Sequence, residues 1–276
     1  MTLDPSWSRP RAYPALADGT IATHAIEVHV TDHCNLRCAG CCVLSPLAPR
    51  RFLEAAVLER DLAWAREVLR PSVFKLSGGE PLLAPNIVEL ARVAKASGIA
   101  PRVSMTTNGV LLARAPDALF EELDAITLSI YPGVGIDAAS LVSLRERALR
   151  FGVALNEKYQ EQFQSMTRRS PEPEAAVTRE VFESCWLRHR CHTLRDGSLF
   201  ACSRPVGIDA LADAGGSLAA SDGVSLAPRA ALTLEISRYL ERSEPLASCA
   251  RCLGGTGALM PFRQLTRLDV RERRPE

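Results

Sequence analysis

Between residues 25 and 157 the chain alternates short runs rich in Val, Ile and Leu with longer segments whose apolar residues recur every three or four positions. Period two marks strands and period 3.6 marks helices. Strands are expected at 25–31, 73–77, 102–107, 125–130 and 153–157, with a sixth at 160–166. Helices are expected at 54–69, with Leu58, Leu62, Ala65 and Leu69 on one face, and at 86–96, closed by Gly98. Two more follow at 116–123 and 137–149, the second with Leu141, Leu144 and Ala148 in register. Repeated β–α units require parallel strands and right-handed crossovers, so the fold class is α/β.

After Met166 the pattern stops. Residues 168–178 are polar and contain prolines, which suits a linker. A hairpin signal at Asp196-Gly197 follows, then a glycine-rich stretch at 215–223 and a helix at 228–240. The expected division is an N-terminal arm at 1–24, a barrel at 25–167, a linker at 168–184 and a smaller unit at 185–276. The formal charge of +1 gives no bulk field toward nucleic acid or membrane, and Arg271, Arg273 and Arg274 read as a solvated tail. No apolar run approaches the roughly 18 residues of a membrane span, and residues 1–20 lack the apolar stretch of a secretory signal. A cytoplasmic protein is expected, and its nine cysteines then read as metal ligands or catalytic thiols rather than disulfides.

Three of those cysteines, Cys34, Cys38 and Cys41, form a C-x3-C-x2-C loop directly after the first strand. Thiolates ligate iron–sulfur clusters, and three of them hold three irons of a cubane [4Fe–4S] cluster while leaving the fourth open to chemistry. Zinc also takes thiolates, but a structural zinc site closes its shell with four ligands, and Cys42, adjacent to Cys41, points elsewhere.

Two further motifs stand after the next two strands: Ser77-Gly78-Gly79-Glu80-Pro81 and Thr106-Thr107-Asn108-Gly109. With the cysteine loop they make the stretch 25–160 resemble the radical S-adenosylmethionine (SAM) superfamily. The resemblance implies a partial (β/α)6 radical SAM barrel, with reacting groups gathered at the carboxyl ends of its strands, as in parallel barrels generally. It implies that SAM chelates the open iron through its amino and carboxylate groups. Gly78 and Gly79, lacking Cβ atoms, let the backbone approach the ammonium. Glu80 reads either as an ammonium partner or as a helix-start residue. Thr106, Asn108 and Ser129 are candidates for the cofactor's ribose or carboxylate, Ser129 equally for a barrel hydroxyl. Many members carry an aromatic residue before the third cysteine, where it packs on adenine. Here Gly40 stands, so that contact falls to backbone or to another side chain.

The C-terminal part resembles the shorter "twitch" form of the auxiliary iron–sulfur cluster domain of such enzymes. Cys185, Cys202, Cys249 and Cys252 follow its order and would bind a second, auxiliary [4Fe–4S] cluster with no open iron. A four-cysteine zinc site is the bland alternative, and Cys191 is able to replace Cys185 or Cys202. If Cys191 is not a ligand, it is a candidate hydrogen-atom donor or a buried structural thiol.

The resemblance implies a 5′-deoxyadenosyl radical, made with an electron from a donor such as flavodoxin or ferredoxin. Phrases at 44–49 and 249–254 are similar to radical SAM proteins of sugar, aminocyclitol and aminoglycoside pathways. A small carbohydrate-like substrate attacked at a carbinol carbon is therefore expected, with epimerisation or dehydrogenation as the outcome. The alternative is a maturase of ribosomal peptides, which commonly carries a recognition domain before the barrel; a first strand beginning near residue 25 leaves no room for one. His189 and His192 are candidate bases, and Tyr131, Asn156, Glu157 and Lys158 candidate substrate contacts.

Overall fold

The computed structural model describes residues 13–168, 170–208 and 221–271. Most of the glycine-rich stretch at 215–223, Arg273 and Arg274 of the basic tail, and residues 1–12 of the arm lie outside the described residues. Strand β1 (Ile21–Thr31) is followed by helix α1 (Ala55–Arg66), β2 (Leu69–Gly78), α2 (Ile87–Ser97), β3 (Val103–Thr107), α3 (Asp117–Glu122), β4 (Ala125–Ile130), α4 (Ala138–Arg150) and β5 (Ala154–Tyr159). These five strands are parallel, in the order β5-β4-β3-β2-β1. The alternation read from the sequence is thus realised as a parallel α/β sheet.

Three readings change in detail. Helix α1 stops at Arg66 because Leu69, expected in the helix, pairs with Ile21 as the first residue of β2. The linker stretch carries helix α5 (Ala175–Glu183), which buries Val181 and Phe182. The expected sixth strand is a short one, β6 (Gln162–Gln164), and it does not join β5. It pairs antiparallel with a later strand, Leu259–Pro261, as a separate two-stranded sheet.

The sheet grows instead at its other edge. Strand β7 (His192–Arg195) lies parallel to β1, and β8 (Ser198–Phe200) and β9 (Val224–Ser225) continue antiparallel. The Asp196-Gly197 hairpin forms as expected, both residues with positive φ (49° and 75°). Buried Asp61 of α1 receives the Gly197 N–H at 2.9 Å and so ties this hairpin to the helix layer. Strand β10 is the Leu259–Pro261 segment.

The core lies between the sheet and α1 to α4. Ile26, Val28 and Val30 of β1, Phe74 and Leu76 of β2, Met105, Ile126 and Leu128 pack there with Leu58, Leu62 and Leu90. Successive strand residues face opposite sides. The other face therefore presents Glu27, His29, Lys75, Ser77, Ser104, Thr106, Thr127 and Ser129. A parallel sheet covered on both faces reads as a near-continuous apolar run, so this polar face marks an interior built for something other than packing.

A three-cysteine loop beside a second group of thiols

The loop Cys34–Cys41 leaves the carboxyl end of β1 and is held from three sides. On one side the glycine pair of β2 approaches it: Gly79 N–H donates to Thr31 O at 2.8 Å and Glu80 N–H to His33 O at 3.1 Å. A Cβ on Gly78 would stand 2.2 Å from Thr31 O, and one on Gly79 would stand 1.9 Å from His33 O, with Gly78 at φ 121°. These positions need glycine because two backbones meet. On the second side Arg195 of β7 grips Asp32 through two hydrogen bonds of 2.6 and 2.8 Å. On the third, Ala39 N–H donates to Arg263 O at 2.9 Å and Leu265 N–H to Arg37 O at 2.6 Å.

Glu80 is fully buried and accepts from Thr107 Oγ1 (2.7 Å), Asn108 N–H (2.8 Å) and Leu82 N–H (3.1 Å). It caps the turn at Pro81–Leu83 and bolts the Gly78-Gly79 segment to the Thr106–Gly109 turn. Burial holds its carboxyl above the ordinary range, against the pull of these three donors. Asn108 in turn points its amide at the cysteine loop, with Nδ2 2.7 Å from Asn35 Oδ1 and 3.6 Å from Cys34 Sγ. The three motifs therefore converge on one place.

The donor set there is all sulfur. Burial, then the charges of Glu80 and Cys41, push the Cys34 thiol up to about 11. Burial, then Cys41 and Cys34, push Cys38 up to about 12. Two such raised thiols ionise only against strong positive charge, and a bound metal deprotonates a coordinating thiol outright. Among the described residues no three His, Cys, Asp or Glu side chains are drawn together as for a metal ion. Each thiolate of a cubane holds a different iron, so its donors need not meet at one point.

Gly40, at φ 75°, faces the β6–β10 pair: a Cβ there would lie 3.5 Å from Gln164 O and Met260 Sδ and 3.6 Å from Phe163 Cβ. Next to this contact three rings gather. Tyr131 stacks on Phe262 with centroids 4.9 Å apart and also meets Phe163 at 5.7 Å. Burial first, then the nearby Cys38 charge, holds the Tyr131 phenol above its usual range, and Ser129 is its hydrogen-bond partner. Aromatic surface is thus supplied beside Gly40 by residues remote in sequence.

The thiols of the second group lie within electrostatic reach of one another. Cys202 feels the charges of Cys185, Cys249 and Cys252, and burial raises its thiol well above the normal range. Burial, then Cys252 and Cys185, push Cys249 up to about 12. Cys252 accepts the Gly254 N–H at 3.2 Å and pairs with Thr167 in an isolated bridge. Cys191 packs in the same small cluster, with Cys185 and Trp186 against Met166, Leu187 and Cys202. Burial, then the charge of Glu27, raises its thiol above the ordinary range; Lys75, Cys42 and Cys185 are its other electrostatic neighbours.

Several candidates lie elsewhere. His192 shares a face with Ile26 in register, 5.5 Å from the Tyr13 ring, and its Nδ1 meets Ala201 O at 2.9 Å. His189 Nδ1 lies 3.5 Å from Tyr13 Oη. Glu157 faces outward into a bidentate pair with Arg145 of α4 (2.6 and 2.7 Å). Asn156 and Lys158 are register partners of Thr127 and Ser129 at the far edge of the polar face, both exposed. The histidine on that face is His29, which the sequence reading passed over together with Glu27 and Lys75. Their signal was present: polar residues at every second position of strands whose other residues are apolar.

A parallel α/β sheet with a three-cysteine loop at the end of its first strand, backed by glycine-rich and Asn-Gly turns after the next two, is an arrangement suited to holding an iron–sulfur cluster. Residues 28–145 match the model of the radical SAM superfamily. A match to that family implies a [4Fe–4S] cluster and SAM as cofactors. The GTP 3′,8-cyclase of Chlorobaculum tepidum is 42% identical over 107 residues, 38% of this chain and 32% of that protein. The GTP 3′,8-cyclase of Mycolicibacterium smegmatis is 33% identical over 146 residues, 49% of this chain and 40% of that protein. The matched stretch thus spans between 32% and 40% of the length of these curated relatives. Among solved structures, BtrN in complex with AdoMet and 2-DOIA has a TM-score of 0.45 at 13% identity, covering 80% of this chain and 82% of that one. Streptococcus suis SuiB bound to S-adenosylmethionine has a TM-score of 0.38 at 12% identity, covering 70% and 61%. Likeness at that level fixes neither chemistry nor substrate. Among the described residues no helix is long and apolar enough to cross a membrane.

Proposed function

We propose that this enzyme takes hydrogen from a carbinol carbon of a sugar, aminocyclitol or aminoglycoside and thereby epimerises or dehydrogenates it. In this reading Cys34, Cys38 and Cys41 hold the SAM-binding cluster. Gly78, Gly79, Glu80, Thr106, Asn108 and Ser129 shape the cofactor pocket, and the rings of Tyr131, Phe163 and Phe262 replace the aromatic residue missing at Gly40. Glu80 acts mainly as the bolt between the two turns. Cys185, Cys202, Cys249 and Cys252 hold an auxiliary [4Fe–4S] cluster, within a C-terminal unit beginning near residue 185. The cofactors supply the radical chemistry; the protein supplies orientation and exclusion of water.

The observation that carries the reading is the place of Cys191. It packs with Cys185 against Cys202, and Glu27 and Lys75 of the polar sheet face are among its electrostatic neighbours. In epimerisation its S–H bond breaks as a C–H bond forms on the substrate radical. The thiyl left behind regains one electron from a flavodoxin- or ferredoxin-type donor and one proton from solvent. The names of the relatives raise GTP as another substrate. A triphosphate calls for several cations, and the described polar face sets Lys75 beside the carboxylate of Glu27.

Anaerobic incubation with reductant, SAM and candidate aminoglycosides tests the proposal. 5′-Deoxyadenosine and a substrate changed in stereochemistry or oxidation state are expected, with solvent deuterium entering an epimerised product. Cys191→Ala should keep SAM cleavage and lose the epimerised product. Full product from that variant removes the donor role, and cleavage with an unchanged substrate argues against the whole reading.

A further inference from the structure

Glu27 and His29 point to the same face of β1, and in the β1–β2 register Glu27 is the partner of Lys75 and His29 that of Ser77. On its other side Glu27 is the register partner of Thr193 of β7, whose hydroxyl donates to Glu27 Oε1 at 3.4 Å. His29 is 3% exposed, and its Nε2 has no hydrogen-bond partner; Glu27 Oε1 stands 3.7 Å away, too far for one. A buried imidazole nitrogen left unsatisfied costs free energy, and most such groups in folded proteins find a partner. Lys75 is half-buried, and among the described residues it has no carboxylate within 4.0 Å. Two neighbouring strands therefore bring together a carboxylate, an imidazole and an ammonium whose bonding capacity is largely unspent, and both Glu27 and Lys75 are electrostatic neighbours of Cys191.

We propose that Glu27, His29 and Lys75 form a recognition subsite for a small polyhydroxylated amine, Glu27 taking its ammonium group and His29 Nε2 and Lys75 its hydroxyls. The subsite rests on the function proposed above and narrows its substrate from carbohydrate-like to amine-bearing. A hydroxyl both donates and accepts, so one ring hydroxyl satisfies His29 Nε2 in either tautomer, and another accepts from Lys75. A carboxylate that holds one weak donor at 3.4 Å has room for a charged one, and hydrogen bonds to charged groups are the strong ones. A neutral sugar leaves that carboxylate under-used. A phosphate would face it directly.

Calorimetric titration of the full chain, as isolated and after anaerobic cluster reconstitution, tests this with 2-deoxystreptamine, myo-inositol and GTP as probes. The wild-type protein should bind 2-deoxystreptamine more tightly than myo-inositol by a factor of about 10 to 100. Glu27→Gln should collapse that ratio toward one, a change that general loosening of the barrel would not produce. Lys75→Met should weaken both cyclitols together and keep the ratio. Thermal melts verify that each variant is folded. A ratio unchanged in Glu27→Gln, equal binding of the two cyclitols, or tighter binding of GTP than of either overturns the subsite. If the reconstituted protein holds iron and cleaves SAM yet binds neither cyclitol, the subsite falls and the radical enzyme stands. If it holds no cluster but keeps the Glu27-dependent preference, the subsite stands and the catalytic reading falls.

Discussion

At the scale of single residues, Glu80 shows how a motif position acquires its meaning from its partners. Two backbone N–H groups and one hydroxyl converge on a carboxylate with no exposure to water. Glu80→Gln replaces one acceptor oxygen by a donor amide that meets these donors head on, and should cost about 1–3 kcal/mol at neutral pH. The pH dependence has a definite sign. The folded-state pKa is raised, so the native protein holds this proton more tightly than the unfolded chain does. Stability from this group is then full below the unfolded carboxyl pKa of 4.5 and declines as pH rises from there toward the raised folded value. Melting temperatures measured across the acidic to neutral range should show the wild type losing relative to Glu80→Gln as pH rises. A constant difference between the two proteins would show that Glu80 does not titrate differently in the folded state.

At the scale of elements, the close approach of β2 to the cysteine loop is what places the thiols. Gly79→Ala forces a methyl to within 1.9 Å of His33 O, which is backbone and unable to swing aside. The loop must move, and the expected cost is on the order of 3 kcal/mol, among the larger single-residue effects. Iron bound at the first site, read by anaerobic metal and sulfide analysis, should fall with it, while Gly98→Ala serves as a control. Gly98 also has positive φ (61°) as the cap of α2, but a Cβ there meets nothing within 4 Å. Equal iron in both variants would mean that backbone contact does not position the cysteines. The β6–β10 pair is the other lesson at this scale. A segment with strand-like residues after β5 need not be the next barrel strand. Its pairing with Leu259–Pro261 sets Phe163, Gln164 and Met260 against Gly40.

At the scale of the whole molecule, two sulfur-rich centres share one sheet, since β7, which precedes Cys202, lies directly beside β1, which leads to Cys34. Replacing Cys34, Cys38 and Cys41 together by Ala should lower the iron content of reconstituted protein from about eight atoms per chain to about four. Loss of all iron would mean that the second group holds none by itself, and about four in the wild type would mean a single cluster. The sequence by itself determined the parallel β–α architecture, the cysteine loop with its two glycine- and asparagine-bearing turns, and the hairpin. Each of these depends on local periodicity, turn chemistry or the donor atoms themselves, all carried within a few residues. Only the tertiary structure decided that β7 and not residues 160–166 extends the sheet, that His192 faces the Tyr13 side while His29 faces inward, and that Tyr131, Phe163 and Phe262 meet beside Gly40. Those outcomes turn on which strand edges pair and which face each side chain takes, and a one-residue shift of register reverses them.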